Sequence, residues 1–140
     1  MRIVICGSSK FRHEMVEYKE RLEKLGHDVF VHEHYIKSVR GEMPELMERI
    51  GREHAVLKRE QNYIRLYHDE IKNSDAVLIL NFDKNGIKNY IGGNTLMEIG
   101  FAHVNDKKVF LLNPIPDVSY VDEIKAMADV ILDGDLKKIV

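Results

Sequence analysis

The sequence has one cysteine, no tryptophan and three prolines among its 140 residues. A lone thiol, Cys6, excludes a disulfide within the chain. No apolar run approaches the roughly 20 residues that a helix needs to span a bilayer. The sequence starts directly with a strand-like segment and shows no signal-type apolar leader. We therefore expect a cytoplasmic protein that has no membrane partner.

An excess of charge of one sign is also missing, because 21 basic residues face 23 acidic ones and the net charge is −2. Domains that bind nucleic acid usually carry a basic excess on one surface, so we expect no nucleic-acid partner. The length and the hydrophobic content of 44% are ordinary for a soluble globular protein. They predict one domain over residues 1–140.

The sequence does contain short, continuous apolar runs, which are typical of strands buried on both faces of a parallel sheet. Helical patterns lie between them. Their alternation predicts a doubly wound α/β fold, Rossmann-like or flavodoxin-like, with a five-stranded, mainly parallel sheet and helices on both faces. The predicted strands are 3–6, 28–32, 77–80, 109–112 and 130–132. The first helix ends at Gly26 and has an apolar stripe of Phe11, Met15, Tyr18, Leu22 and Leu25.

The segment from Gly41 to Asn73 is long for one connection between strands. Gly51 can divide it into two helices, while His54 and His68 interrupt its apolar stripe and argue against a long coiled coil. The stripe predicts an amphipathic helix on the core, and the alternative is a helix that packs on a second subunit. Its members are Leu46, Met47, Ile50, Leu57, Ile64 and Ile71.

Polar and glycine residues follow several predicted strands. Ligands bind to such sheets beyond the carboxyl ends of the strands, near the point where strand order reverses. The turn 7–10 offers N–H groups, hydroxyls and an ammonium to a phosphate, or it is a serine-capped helix start. His32 and His34 could ligate a metal on a strand, but no third ligand is evident, so we predict no metal. The residues that converge are Gly7, Ser8, Ser9, Lys10, His32, Glu33, His34, Tyr35, Asn81, Asp83, Asn113 and Pro114.

The segment 91–100 is the most informative part of the sequence. Gly92 and Gly93 let the backbone approach a ligand, and a helix that starts at Asn94 or Thr95 attracts anions through its first N–H groups. Glu98 then lies one turn inside the helix. It either closes a capping box with Thr95, or it is a catalytic carboxylate that points into a cleft.

Segments 3–8, 71–81 and 92–102 resemble the nucleoside 2-deoxyribosyltransferase superfamily, which includes the 2′-deoxynucleoside 5′-phosphate N-hydrolases. The resemblance implies a nucleoside or nucleotide substrate, cleavage or transfer at its N-glycosidic bond, no cofactor, and a homodimer or higher homo-oligomer. The nucleophile in that family is the Glu of a Gly-x-x-x-Glu-Ile/Leu-Gly-x-Ala motif. Glu98, Ile99, Gly100 and Ala102 match this motif, while Asn94 replaces its first glycine. The resemblance therefore nominates Glu98 as the nucleophile.

The chain departs from the family at one position. An Asp that handles the sugar and the departing base usually stands four residues before the position of Ile71, where this chain has Tyr67. Asp69 follows two residues later, so either side chain is a candidate proton donor. The candidate catalytic residues are thus Glu98, Asp69 and Tyr67, and the candidate substrate-binding residues are Gly7, Ser8, Ser9, Lys10, Asn81, Gly92, Gly93, Asn94 and Thr95.

Two other functions remain open. Phosphoribohydrolases that release cytokinin bases have a Gly-Gly-x-Gly-Thr-x-x-Glu motif, which is similar to residues 92–98 except that the intervening glycine is missing here. A non-catalytic nucleotide-binding module is the other alternative, which the departure at Tyr67 keeps open.

Overall fold

The computed structural model describes residues 1–45, 48–49, 59 and 62–140. These residues form five strands, which pair in parallel throughout. The strands are β1 (Arg2–Gly7), β2 (Asp28–Phe30), β3 (Ala76–Leu80), β4 (Lys108–Leu111) and β5 (Val130–Ile131). Their order across the sheet is β2-β1-β3-β4-β5. The predicted doubly wound α/β sheet is therefore confirmed.

The helices of the described residues alternate with these strands along the chain. Those that lie wholly within the described residues are α1 (Arg12–Lys24), α2 (Glu33–Val39), α3 (Tyr63–Lys72), α4 (Gly93–Val104) and α5 (Val121–Met127), with 3₁₀ turns at Ser9–Phe11 and Leu136–Lys138. Gly26 has a φ of +93°, so it ends α1 as predicted. Leu25, the last member of the predicted stripe, is exposed because α1 has already ended. None of the helices in these ranges is long and apolar enough to cross a membrane.

Alternating strand side chains supply two hydrophobic cores, one on each face of the sheet. Ile3 and Ile5 of β1 pack on one face with Met15 and Leu22 of α1. The intervening strand residues enter the opposite core, which α3, α4 and α5 cover. Because each face has its own helices, the sheet is buried on both sides, which explains the continuous apolar runs of its strands.

Strand order reverses between β1 and β3. The chain leaves β1 for β2 on one side and returns to β3 on the other. The two strands approach closely at their carboxyl ends, where a Cβ added to Gly7 would lie 3.0 Å from the carbonyl oxygen of Leu80. The helices that follow β1 and β3, α1 and α4, pack on opposite faces of the sheet, which leaves a crevice at this edge.

Two sequence predictions need comment. β2 ends at Phe30, and His32 is the N-cap of α2, so His32 and His34 do not alternate on a strand as predicted. In the long segment after Gly41, Ile71 is buried and Ile64 is exposed. The other positions of that prediction, which lie outside the described residues, are Leu46, Met47, Ile50, Gly51, His54 and Leu57.

Candidate active site

A cleft of about 190 Å³ lies at the point where strand order reverses. It is bounded by the end of β1, the loop after β3 and the first turn of α4. Each predicted substrate-binding residue except Lys10 and Asn81 contributes to its wall. The lining residues are Gly7, Ser8, Ser9, Tyr35, Tyr63, Lys84, Tyr90, Gly92, Gly93, Asn94 and Thr95.

Among the described residues that line this cleft, Lys84 carries the positive charge. It precedes a tight hairpin turn in which Asn85 and Gly86 have φ values of +53° and +75°, as a type I′ turn requires. Its Nζ donates to Ser8 Oγ at 2.9 Å and lies 5.0 Å from the ring centroid of Tyr90. Partial burial and the nearby charge of Lys10 lower the pKa of Lys84. A negative charge bound in the cleft would oppose both effects and raise the pKa of Lys84 again.

The first turn of α4 forms the opposite wall. Gly92 is the N-cap and α4 begins at Gly93, one or two residues before the predicted start at Asn94 or Thr95. The capping box of the sequence interpretation therefore does not form. A Cβ on Gly92 would lie 2.8 Å from the hydroxyl oxygen of Tyr90, whereas a Cβ on Gly93 would meet open space. The positive end of the α4 dipole thus adjoins the cleft that holds Lys84.

Glu98 lies in the second turn of α4 and is only 4% exposed. Its carboxylate accepts a hydrogen bond from Asn94 Nδ2 at 3.2 Å. It lines a second, narrower pocket of about 30 Å³, which has room for a water molecule. Tyr35, Tyr63 and Asn94 line both this pocket and the cleft. Glu98 therefore faces a cavity next to the cleft instead of folding back on the amides at the start of its helix.

Protonated groups surround Glu98. Cys6 lies beneath it on β1, and burial, together with the charge of Glu98 and a hydrogen bond to it, raises the pKa of the thiol well above its usual range. Burial and the same charge also raise the pKa values of Tyr35 and Tyr67. These groups stay neutral near pH 7, so the carboxylate sits among potential hydrogen-bond donors.

The two candidate proton donors of the sequence analysis have different positions. Tyr67 is buried and lines the pocket beside Glu98. Asp69 points to solvent with 76% of its side chain exposed, and it pairs with His68 at 3.6 Å. A shift of two residues on a helix moves a side chain to another face, so Asp69 does not reach the pocket. The structure brings Tyr67, and not Asp69, to Glu98.

Lys10 and Asn81 also lie outside the cleft lining. Lys10 is exposed, and its backbone N–H donates to Ser8 Oγ at 3.3 Å, as in the capped-helix interpretation of this turn. Asn81 is fully buried, and its Nδ2 donates to the carbonyls of Asn113 and Pro114 at 2.9 and 3.1 Å. Asn81 therefore holds the loop after β4 rather than a substrate.

A histidine pair stands beside the tyrosines. His32 Nδ1 accepts the backbone N–H of His34 at 2.9 Å, and the two ring centroids are 4.3 Å apart. Burial, followed by the charge of His34, lowers the pKa of His32 to about 4. Among residues 1–45, 48–49, 59 and 62–140, no group of three or more His, Cys, Asp or Glu side chains could hold a metal ion.

Sequence reasoning missed Lys84, Tyr63 and Tyr90 as lining residues. The Asn85-Gly86 dipeptide is a strong signal for a two-residue hairpin turn, and it could have placed Lys84 at the loop tip. Tyr63 shares a helix face with Tyr67 and Ile71, but its place in the cleft also depends on how α3 docks against α4.

No protein-family model matches this chain, and no curated protein sequence does. Among solved structures, the CMP N-glycosidase BcmB of Clostridium botulinum is similar, with a TM-score of 0.54 over 94% of this chain and 88% of that one. The two sequences are 18% identical over this match. The likeness is one of fold.

Proposed function

We propose that this protein breaks the N-glycosidic bond of a nucleoside 5′-phosphate, with Glu98 as the carboxylate that meets C1′ of the sugar. The observation that carries the proposal is the position of Asn94. Asn94 lines the cationic cleft and also bonds to the buried Glu98, so the two cavities meet at this residue. The fold shared with a CMP N-glycosidase and the family resemblance of residues 92–102 support the same chemistry.

The cleft is suited to the phosphate of such a substrate. Lys84 supplies a positive charge, Ser8 a hydroxyl, and the first turn of α4 a positive dipole end. Gly93 leaves open space where a side chain would otherwise stand. A phosphate in this position would direct the attached sugar past Asn94, toward the pocket that contains Glu98.

In this arrangement the Glu98 carboxylate would act on C1′ of the sugar. Cleavage of an N-glycosidic bond passes through an oxocarbenium-like transition state, which a carboxylate stabilises or captures as a glycosyl ester. Attack of water on that ester releases a sugar phosphate, whereas attack of a second base gives transfer. Neither step requires a metal ion or an organic cofactor.

The test is a panel of nucleotides with chromatographic detection of free base. Ribonucleoside and deoxyribonucleoside 5′-phosphates, starting with CMP, are incubated beside the matching nucleosides. We expect release from the phosphates at a rate at least about tenfold above that from nucleosides, because the charged contacts are lost with the phosphate. The preferred sugar separates a deoxynucleotide hydrolase from a phosphoribohydrolase, and an added acceptor base reveals transfer. Tight binding with no base released over hours would instead identify a non-catalytic module.

The family resemblance also implies a homodimer or higher homo-oligomer. Light scattering of the purified protein measures its mass in solution directly. A mass of 16.3 kDa, that of one chain, at the concentrations of the activity assay would contradict this part of the proposal.

A further inference from the structure

Tyr63 is the first residue of α3 and lines both the cleft and the Glu98 pocket. Its hydroxyl lies 2.6 Å from Nδ1 of His34, which is a short distance for a hydrogen bond between neutral groups. His34 is half-buried at the start of α2. A phenol that faces a substrate cleft is thus joined to a group whose charge changes near neutral pH.

We propose that Tyr63 protonates the departing base and that His34 supplies the proton through it. This inference rests on the function proposed above. It gives the chain a donor on the base side of the substrate, where the sequence offers neither the family's Asp nor a usable Asp69. Tyr63 is the catalytic residue of this pair, and His34 is a positioning residue that acts through it.

The other tyrosines are less suited to this role. Burial raises the pKa values of Tyr35 and Tyr67, and both side chains are close enough to Glu98 for its charge to raise them further. For Tyr63 the raised pKa has burial as its cause. A nucleophile and a proton donor act on opposite sides of the bond that breaks, roughly 5 Å apart in retaining glycosidases. Tyr35 and Tyr63 both line the two cavities, but the charge of Glu98 contributes only to the raised pKa of Tyr35, so Tyr63 fits the far side of that bond.

The protons balance over the reaction. As the C1′–N bond breaks and Glu98 bonds to C1′, the base nitrogen takes the proton of Tyr63, and Tyr63 takes the Nδ1 proton of the His34 imidazolium. Water then attacks C1′ and displaces Glu98 as a free carboxylate. The proton that this water loses returns through Tyr63 to His34. The sum is nucleotide plus water giving sugar phosphate plus free base.

The charge of His34 depends on several neighbours. Burial lowers its pKa from the ordinary value of 6.5, the carboxylate of Glu33 raises it, and the ammonium of Lys37 lowers it. His32, which faces the same ring, stays neutral above about pH 4 and adds no repulsion there. Burial has the largest effect, so the imidazolium loses its proton at a pH below 6.5, and turnover should decline as pH rises through that range.

The first test compares two leaving groups on the same sugar phosphate. With the nucleotide that the wild type turns over, Tyr63→Phe should lower kcat/KM by about 100-fold or more, as loss of a general acid does. With the 4-nitrophenyl glycoside, whose leaving group departs without a proton, the loss should stay below about fivefold. Tyr18→Phe is the control, since Tyr18 packs on Phe82 outside the cleft lining. Tyr18→Phe should have the kcat/KM of the wild type on both substrates.

The second test uses the pH profile of kcat on the nucleotide alone. His34→Gln keeps a hydrogen-bonding side chain but cannot titrate, so the decline toward high pH should flatten. Two results would overturn the inference: a loss of kcat/KM in Tyr63→Phe that is equal for both leaving groups, or an unchanged pH profile in His34→Gln. The proposed function would still stand in either case if Glu98→Gln abolishes turnover of both substrates. A wild-type protein that cleaves neither substrate overturns both proposals. Thermal unfolding by circular dichroism verifies that each variant is folded.

Discussion

The two ends of the candidate site differ in nearly every physical respect. The Glu98 end is a narrow pocket lined by three tyrosines, and its carboxyl group is almost fully buried. The Lys84 end is an open cleft with glycines in its wall and a positive charge. Asn94 belongs to both.

This contrast suggests a division of labour. Binding energy collected on a part of the substrate that does not react can be used to position the part that does. In this site the open, cationic end would hold the phosphate, and the closed end would perform the bond cleavage. Substitutions at the Lys84 end should then act mainly on KM, and those at the Glu98 end on kcat.

The largest effect is expected for Glu98→Gln. Glutamine keeps the size of the side chain and can still accept from Asn94, so the fold and KM should change little. The lost negative charge should lower kcat roughly 1,000-fold or more, equivalent to about 4 kcal/mol in the barrier. Steady-state kinetics on the preferred nucleotide measures it. Asp69→Asn is the matched control at an exposed carboxylate, and equal kcat losses in the two variants would contradict the assignment of Glu98.

The next effect concerns Lys84→Gln. Glutamine can still bond to Ser8, but it removes the charge from the cleft. For the 5′-phosphate we expect KM to rise about 100-fold, or about 2.7 kcal/mol, with kcat nearly unchanged, because a charge-assisted contact is lost. Turnover of the nucleoside should not change. Lys88→Gln, at an exposed lysine of the same loop, is the control. A similar KM rise for nucleotide and nucleoside would refute a phosphate role for Lys84.

Features that depend on local sequence patterns could be predicted from the sequence, whereas features that depend on distant contacts could not. The strands were evident because continuous apolar runs report burial on both faces, which is a local property. Glu98 stood out because glycines and a carboxylate adjoin in one short segment. The start of α4 was misplaced because Asn94 and Thr95 are good cap residues. The observed start follows Ile91, whose carbonyl accepts a hydrogen bond from the Tyr120 hydroxyl, a contact distant in sequence.

The phase of α3 could have been read more closely. Ile71 is fully buried, and Tyr67 lies one helical turn before it on the same face, so Asp69 had to point elsewhere. Tyr63 continues that face by one more turn. By contrast, the contact between Lys84 and Ser8 joins residues 76 positions apart, and no spacing rule predicts a contact of that kind.

A smaller effect is expected for Gly93→Ala, which tests how closely the substrate approaches α4. The added methyl would meet no protein atom, so it should leave the protein as stable or raise its unfolding free energy by roughly 0.5–1 kcal/mol. It would stand in the cleft, and we expect KM for the nucleotide to rise about tenfold, or about 1.4 kcal/mol. Gly100→Ala is the control because its methyl also enters open space, later in the same helix. Equal KM values in the two variants would show that the substrate does not contact Gly93.

The last effect is on stability alone and concerns the histidine that stacks on Tyr67 behind the closed end. His32 has a pKa of about 4 in the folded protein against an ordinary 6.5, so between these values the unfolded chain binds more protons. The folded state therefore loses stability as pH falls through that range, by about 2 kcal/mol from pH 7 to pH 5.

His32→Asn keeps an N-cap acceptor but cannot titrate. Urea unfolding curves at pH 7 and pH 5 should therefore show a pH-dependent loss of unfolding free energy that is smaller by this amount, whatever the variant's stability at pH 7. The control is His13→Asn, at an exposed position of α1, which should lose as much unfolding free energy between pH 7 and pH 5 as the wild type does. If His32→Asn loses as much stability as the wild type, His32 takes up its proton in the folded state, and the closed end of the site is wetter than its burial indicates.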